Sequence, residues 1–360
     1  MLLSLLRLSL LVGWSTLILL SGASVHLRSL LEKKLSTSIF VSAPVYLVVL
    51  LCSYVAVALP VDWLEWRIEK RYGLSRESTT AWLRHVCVES VVGLLFGVGF
   101  FYVVYAAFFG AGRWWWLATG LITLCADLLL RRFLLERLVS LRHHVSPVMN
   151  PSLGEKLKSL AKGAGSEIQN FLEMKVGHET PAANAMIGGL GKKRAIFFTD
   201  TLLEGFSEEE VETIAAHELG HDRRSHPLGA GFLNFITVTS ALLAAHIALS
   251  LLSPVFSRLG IREAADLAAF PLLILPLLLF AVIVSPVLAA ISRRMEWRAD
   301  IFALKLSRRP EAFATALEKL AEMNLIDPDP PRLVRFISRS PSLRKRIERA
   351  KAFHERKEPA

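Results

Sequence analysis

Cysteine, charge and internal repetition are all scarce in this 360-residue chain, and each scarcity removes a class of protein. The three cysteines, Cys52, Cys87 and Cys125, fall at wide spacing in or beside apolar runs. They form neither a disulfide framework nor a cysteine-based metal pattern, and read as small buried apolar residues. Charged residues make up 21% of the chain, against about 25% in ordinary globular proteins. AVILMFWYC residues reach 53% and the mean hydropathy is +0.43. That balance excludes a disordered or fibrous chain and argues against a soluble enzyme. No internal repeat or low-complexity segment occurs. The glycine cluster Gly188-Gly189-Leu190-Gly191 lacks the Lys-Ser/Thr and following helix of a phosphate loop, so it reads as a turn between two short strands.

What is present is apolar sequence gathered into blocks of roughly 17–25 uncharged residues, the length of a membrane-crossing helix. Six spans can be drawn: Leu8–Val25, Ile39–Leu59, Val91–Gly112, Trp114–Leu130, Leu228–Leu252 and Leu267–Ile291. Ser21 and Ala23 also give the first block a small-x-small cleavage site, so it reads either as a retained span or as a signal segment. Pro271, Pro276 and Pro286 in the last block are tolerable in a membrane helix, where neighbours satisfy the freed carbonyls.

Lys and Arg in the short loops set the orientation. Residues 62–90 carry Arg67, Lys70, Arg71, Arg76 and Arg84, whereas the alternate loops carry fewer. This loop, the polar stretch Arg131–Pro227 and the C-terminal tail therefore share one side, expected to be cytoplasmic. From Ser292 to Ala360 there are 17 Lys/Arg against 10 Asp/Glu, which supplies +7 of the net +10. Beside membrane spans, such a tail indicates a face near anionic lipid, and no nucleic-acid partner is expected.

The expected fold is mainly α: a polytopic helical membrane protein of about six spans, with an α+β domain split around a transmembrane hairpin. Residues 1–130 form a membrane domain with four spans, 131–227 the first part of the α+β domain, 228–291 the hairpin and 292–360 its second part. Within the polar stretch, residues 151–163 have helical spacing and Glu167–Met174 is ambiguous, with strand character at its end. Asn184–Ile187 and Ala195–Thr199 read as strands. Ser207-Glu208-Glu209-Glu210 is a capping box that opens a helix to about Arg223.

That helix carries His217-Glu218-Leu219-Gly220-His221. Two histidines four apart lie on one helical face, separated by about 40°, so both imidazoles can reach one metal ion. Glu218 sits beside that face, placed to act as general base on a water without ligating the metal. Zinc is the expected ion, lowering the pKa of a water and polarising a carbonyl. The bland alternative is an amphipathic helix with solvated histidines. A third ligand argues against it: Glu296, in Met295-Glu296-Trp297-Arg298-Ala299-Asp300, begins where the last span ends. Two antiparallel spans after His221 return Glu296 to the side of His217 and His221. Asp300, one turn further on the same face, is a candidate acceptor for a ligand His N–H; its alternative is a surface pair with Arg294 or Arg298.

With these pieces in order, the chain resembles the integral-membrane zinc metallopeptidases that include the type I CAAX prenyl protease. The resemblance rests on Leu59-Pro60 with Ile68–Ser75, on Asn184-Ala185-Met186-Ile187-Gly188-Gly189, on Arg194–Leu203, on His217–His221 and on Ser292–Asp300. It runs over roughly residues 40–350. It implies a helical membrane chamber with the zinc domain at its cytoplasmic end, and a peptide or protein substrate, prenylated or membrane-embedded, lying as an added strand beside Asn184. Asn184 is the substrate-binding candidate, or else a turn-forming Asn. The segment Ser340–Arg346 resembles a family segment that starts with His and ends with Arg. Here Arg346 is kept, as a candidate support for the site or for an anionic group, but the His position is Ser340. The alternative substrates are those of the smaller heat-shock membrane metalloproteases; a non-catalytic zinc scaffold or a transporter is the rival outside peptidases.

The other histidines read plainly. His143, His144, His178 and His354 look solvated, His226 is a weak candidate for touching the site, and His246 in the fifth span faces either a hydrated interior or a packing hydrogen bond.

Overall fold

The fold is that of a computed structural model, which describes residues 2–35, 38–133, 143–189, 194–224 and 227–355. The chain divides into two compact units. The first comprises Met1–Ile68, Ser78–Cys125 and Leu233–Val284; the second comprises Glu69–Glu77, Ala126–Phe232 and Ser285–Ala360.

The first unit is all helical among the described residues. Its elements are α1 (Leu2–Leu20), α2 (Ala23–Lys34), most of α3 (Ile39–Arg71) and α4 (Thr79–Ala111), with the start of α5 (Trp115–Phe133) and stretches of two further helices described below. Among the described residues, five helical stretches are long and apolar enough to cross a membrane: Leu3–Leu20, Ile39–Arg71, Thr79–Leu130, Gly231–Val255 and Leu267–Ser307. The third is 52 residues long and holds two of the six expected spans. It breaks at a 3-10 turn over Gly112–Trp114, where Gly112 adopts φ 52°, a conformation that suits glycine. Phe108 and Trp115 stack across the break at 4.2 Å.

The first span differs from expectation. Its helix stops at Leu20, Gly22 takes φ 72°, and a separate polar helix follows. Hydropathy cannot see α2, which is short and carries Arg28, Glu32, Lys33 and Lys34. Tertiary contacts hold it instead. Arg28 is buried against Asp266, Ser24 donates to the Ala268 carbonyl at 2.9 Å, and Arg262 makes a two-pronged bond to Glu32 at 2.7 and 2.9 Å. Around this network lies an aromatic-rich core that includes Trp14, Tyr46, Phe101, Tyr105 and Trp115. The three cysteines are exposed rather than buried, which suits side chains on lipid-facing helix surfaces.

The second unit carries a four-stranded sheet of order β1-β2-β4-β3: β1 (His144–Pro147), β2 (Asn170–Lys175), β3 (Ala185–Gly188) and β4 (Ala195–Thr199). The β2/β4 pair is parallel and the outer two pairs are antiparallel. β4 is buried along its whole length, as Ala-Ile-Phe-Phe-Thr requires of a central strand. Against the sheet lie α6 (Pro151–Gly163), α7 (Asp200–Gly205) and α8 (Glu208–Arg224), with Leu157, Ile196, Phe198, Leu202 and Leu219 in one core cluster. The Asn150 side chain caps α6, accepting from the Leu153 N–H at 3.2 Å.

Two long helices run on from the apolar blocks: α9 (Pro227–Leu252) and α10 (Phe270–Ser307). At about 1.5 Å per residue, the 38 residues of α10 exceed a hydrocarbon core of about 30 Å, so its C-terminal turns emerge carrying Glu296 and Asp300. The chain ends with α11 (Pro310–Met323), α12 (Arg332–Ile337) and α13 (Leu343–Glu355).

The capping box of α8 is formed. The Glu210 N–H donates to Ser207 Oγ at 3.3 Å, and the Ser207 N–H donates to Glu210 Oε2 at 2.8 Å. Lys319 of α11 donates to the same oxygen at 2.7 Å. Burial raises the Glu210 pKa, but the Lys319 and Ser207 bonds outweigh it and hold the carboxyl below its ordinary 4.5. Its stabilising contribution is therefore present above that ordinary value and is lost as pH falls through the lowered one. Glu210→Ala should cost about 1–2 kcal/mol at neutral pH and should flatten the acid-side fall in stability, as read from denaturation across pH 3–7 in detergent. An unchanged acid limb would refute the assignment.

Candidate metal centre

The site assembles from α8, the emergent end of α10 and the last helix. His217 and His221 project from α8 with ring centroids 4.8 Å apart and planes at 86°. Their Nε2 atoms are 3.1 Å apart. Glu296 faces both, its Oε2 at 3.6 Å from His217 Nε2 and its Oε1 at 3.3 Å from His221 Nε2. The three side chains form a group able to hold a metal ion. Tetrahedral zinc with bonds of about 2.0–2.1 Å would need its donors about 3.3 Å apart. The observed separations bracket that value, so the donor set fits the ion.

The close approach of α8 and α10 comes from Gly220. A β-carbon there would meet Ala299 Cα at 3.0 Å, the Ala299 carbonyl oxygen at 3.1 Å and the Phe302 ring at 3.2 Å. A glycine here lets the helices pack at this distance without pushing Ala299 or Phe302 aside.

Asp300 is buried, and its Oδ1 lies 2.9 Å from His217 Nδ1. With Nδ1 donating to this carboxylate, the Nε2 lone pair points at Glu296 and His221. Arg346 of α13 grips Asp300 with two bonds, Nε to Oδ2 at 2.9 Å and Nη2 to Oδ1 at 2.7 Å. It also lies 3.7 Å from Glu296. The alternative for Asp300, a surface pair with Arg294 or Arg298, is thus replaced by a buried pair from 46 residues away.

The electrostatics follow from burial among charges. Burial alone would lower the His217 pKa, but Asp300 and Glu296 overcome it and push the ring up to about 9. Burial would raise Glu296 and Asp300; the histidines beside Glu296, and Arg346 with His217 beside Asp300, hold both carboxyls below their ordinary range. Glu218 goes the other way. Burial, aided by the Glu296 charge, lifts it above 4.5 despite the opposing pull of the nearby histidines.

The helix that carries Glu218, α8, packs against β3, an edge strand among the described residues. Asn184 lies exposed just before β3, with its N–H donating to Thr199 Oγ1 and its carbonyl accepting from the Thr199 N–H, both at 3.0 Å. Asn324 pins the preceding residue, exchanging two 2.9 Å bonds with the Ala183 backbone. Asn324 carries no motif signal, since it acts only through its place in the fold. The structure therefore brings His217, His221, Glu218, Glu296, Asp300 and Arg346 into one cluster, and sets Asn184 just before the edge strand against which α8 packs.

The remaining histidines sort by position. His178 and His144 are exposed, while His143 is half-buried 3.8 Å from Glu179 rather than solvated. His246 accepts from the Trp115 indole N–H at 3.1 Å, a helix-packing bond. His226 and the His354 side chain lie outside the described residues.

A helical membrane unit, joined to a sheet-and-helix unit with a His-His-Glu cluster, defines a membrane-embedded metallopeptidase. Residues 147–354 match the model of Peptidase family M48, and residues 2–134 match the CAAX prenyl protease N-terminal domain, described as five membrane helices. The chain belongs to peptidase family M48. The chain is 26% identical over 348 residues to an uncharacterized metalloprotease, YhfN, of Bacillus subtilis, covering 92% of this chain and 78% of that protein. Protease HtpX of a Shewanella strain is 28% identical over 148 residues, covering 40% of this chain and 51% of its own. A CAAX prenyl protease 1 homolog of Oryza sativa is 27% identical over 191 residues, covering 50% and 42%. The crystal structure of S. mikatae Ste24p superposes with a TM-score of 0.75 at 18% identity, over 91% of this chain and 79% of that one, which establishes the shared fold.

Asp300→Asn removes the two-pronged partner of the buried Arg346 and leaves it only the longer contact to Glu296 at 3.7 Å, and should destabilise the protein by about 3 kcal/mol. Adding Arg346→Met should restore most of that loss. Denaturant unfolding of both variants reads the difference; equal losses in the single and double variants would show that the pair is not coupled.

Proposed function

We propose that this protein is a zinc metalloendopeptidase in which His217, His221 and Glu296 hold the ion, Glu218 is the general base, and Asp300 orients His217. The observation that carries the reading is the convergence of three donor atoms at 3.1–3.6 Å, with a raised-pKa carboxyl on the same helix. Zinc bound there would polarise the scissile carbonyl and acidify a water. Glu218 takes the proton from the attacking water and returns it to the leaving amine, a task helped by a carboxyl lifted from its ordinary range. An extended substrate would add to the edge strand β3 near Asn184 by main-chain bonds. Arg346 neutralises Asp300 and supports the ligand cluster.

The substrate class we favour is CAAX-type C-terminal or membrane-associated proteins. The support is the match over residues 2–134 to the CAAX prenyl protease N-terminal domain. The catalytic unit is assigned to the cytoplasm from the excess of Lys and Arg in the 62–90 loop and the tail. A second reading, a quality-control protease like the heat-shock enzymes, is favoured by two observations. One is the similarity to HtpX. The other is Ser340, which stands where the prenyl protease segment has His.

Purified protein should be assayed on a farnesylated CAAX peptide and on an unfolded membrane protein; cleavage of only the latter would replace the first reading by the second. Glu218→Gln should retain its zinc by elemental analysis while losing about 10²–10⁴-fold in rate. Loss of the metal together with activity would make Glu218 a ligand instead of the base. Unchanged turnover would end the peptidase mechanism.

A further inference from the structure

The tail contains a surface that the peptidase chemistry does not use. Leu333, Phe336 and Ile337 are spaced i, i+3, i+4, so they share one face of α12. They stand 68%, 57% and 37% exposed, although a charged tail has ample polar residues to put there. From Arg332 to Arg346 the chain holds six Lys/Arg and no carboxylate. Of these, Arg346 belongs to the metal centre and Arg335 and Arg344 are paired with Asp329. Arg332 and Arg339 are exposed at the two ends of the apolar face.

The depth of this face is set by Arg293. The apolar block of α10 ends at Ile291, and Arg293 follows two residues later. Its guanidinium Nη1 donates to three carbonyls at the C-terminal end of α12: Arg335 at 3.3 Å, Phe336 at 3.1 Å and Ser338 at 2.7 Å. A cation on these otherwise orphaned carbonyls is the favourable charge for a helix C-terminus. The same bonds fasten α12 to the level at which α10 leaves the hydrocarbon. An apolar face flanked by arginines at that level has the make-up of an interfacial element.

We infer that α12 is an interfacial anchor, with Leu333, Phe336 and Ile337 immersed at the headgroup boundary and Arg332 and Arg339 on anionic phospholipid headgroups. The segment from Ser338 to Arg346 is then fixed at both ends, by the lipid-seated helix with its Arg293 clasp and by the Arg346–Asp300 pair. Lipid charge thereby bears on the geometry of the metal centre without touching it.

Spin labels test this in the full-length protein, with Cys52, Cys87 and Cys125 replaced by serine, reconstituted in vesicles of phosphatidylglycerol and phosphatidylcholine. Labels on Leu333→Cys and Phe336→Cys should collide with oxygen in preference to a water-soluble nickel chelate. They should lie shallower than a label on Ile283→Cys of α10, while one on Glu155→Cys of α6 should favour nickel. Pure phosphatidylcholine should shift the two α12 labels towards water. Arg332→Gln and Arg339→Gln should each lower the ratio of immersed to water-exposed label about fivefold, the weight of one arginine at an anionic surface. Nickel-dominated collisions in both lipids would overturn the anchor. So would dipolar broadening between Phe336→Cys labels, which would assign the face to a second copy of the chain.

Discussion

Helices α8 and α10 meet at Gly220 and Ala299 with no room for a β-carbon, and the metal centre depends on that contact. Interhelical spacing is normally set by side chains at 8–10 Å. Here one residue without a side chain lets the backbones close in, which brings a carboxylate on one helix within 3.3–3.6 Å of two imidazoles on the other. The glycine inside His-Glu-Leu-Gly-His is thus a packing residue as much as part of a sequence signature. Its cost in helix propensity, about 1 kcal/mol relative to alanine, is offset by what the close approach permits.

Around this contact the charges are arranged in tiers. His217 is held between Glu296 and Asp300, and Asp300 is gripped by Arg346. A buried ion pair contributes little net stability, because desolvation consumes most of the Coulombic gain. Its value here is orientation. The pair selects which ring nitrogen of His217 carries the proton and which faces the metal position, and ties the C-terminal helix to the site. Glu218 stands outside those tiers. Its helix packs against the edge strand β3, so Glu218 and that strand share a frame.

Much of the molecule was legible in the sequence because its signals are local. Five of the six apolar blocks fall mainly within long helices, the first breaking after Leu20; the capping box forms at Ser207–Glu210, and strands lie at 185–188 and 195–199, around the glycine cluster. What escaped was held by distant partners. Helix α2 is polar and short, and exists through Arg28–Asp266 and Arg262–Glu32 across more than 200 residues. Strand β1 is four residues long and owes its form to pairing with β2. The anchor Asn324 has no pattern of its own.

The sequence by itself determined the membrane class, the pair of histidines on one helical face and the capped helix that presents them, because period, length and capping act within a few residues. It also ordered the return of Glu296, since two spans must bring a chain back to the side it left. Only the tertiary structure decided the distances: that Gly220 admits Ala299, that Asp300 turns inward to His217 and Arg346, and that Arg293 fastens α12 beside the end of the last span. Those are contacts between residues 42 to 83 positions apart, and burial and close packing, which no local pattern encodes, select them.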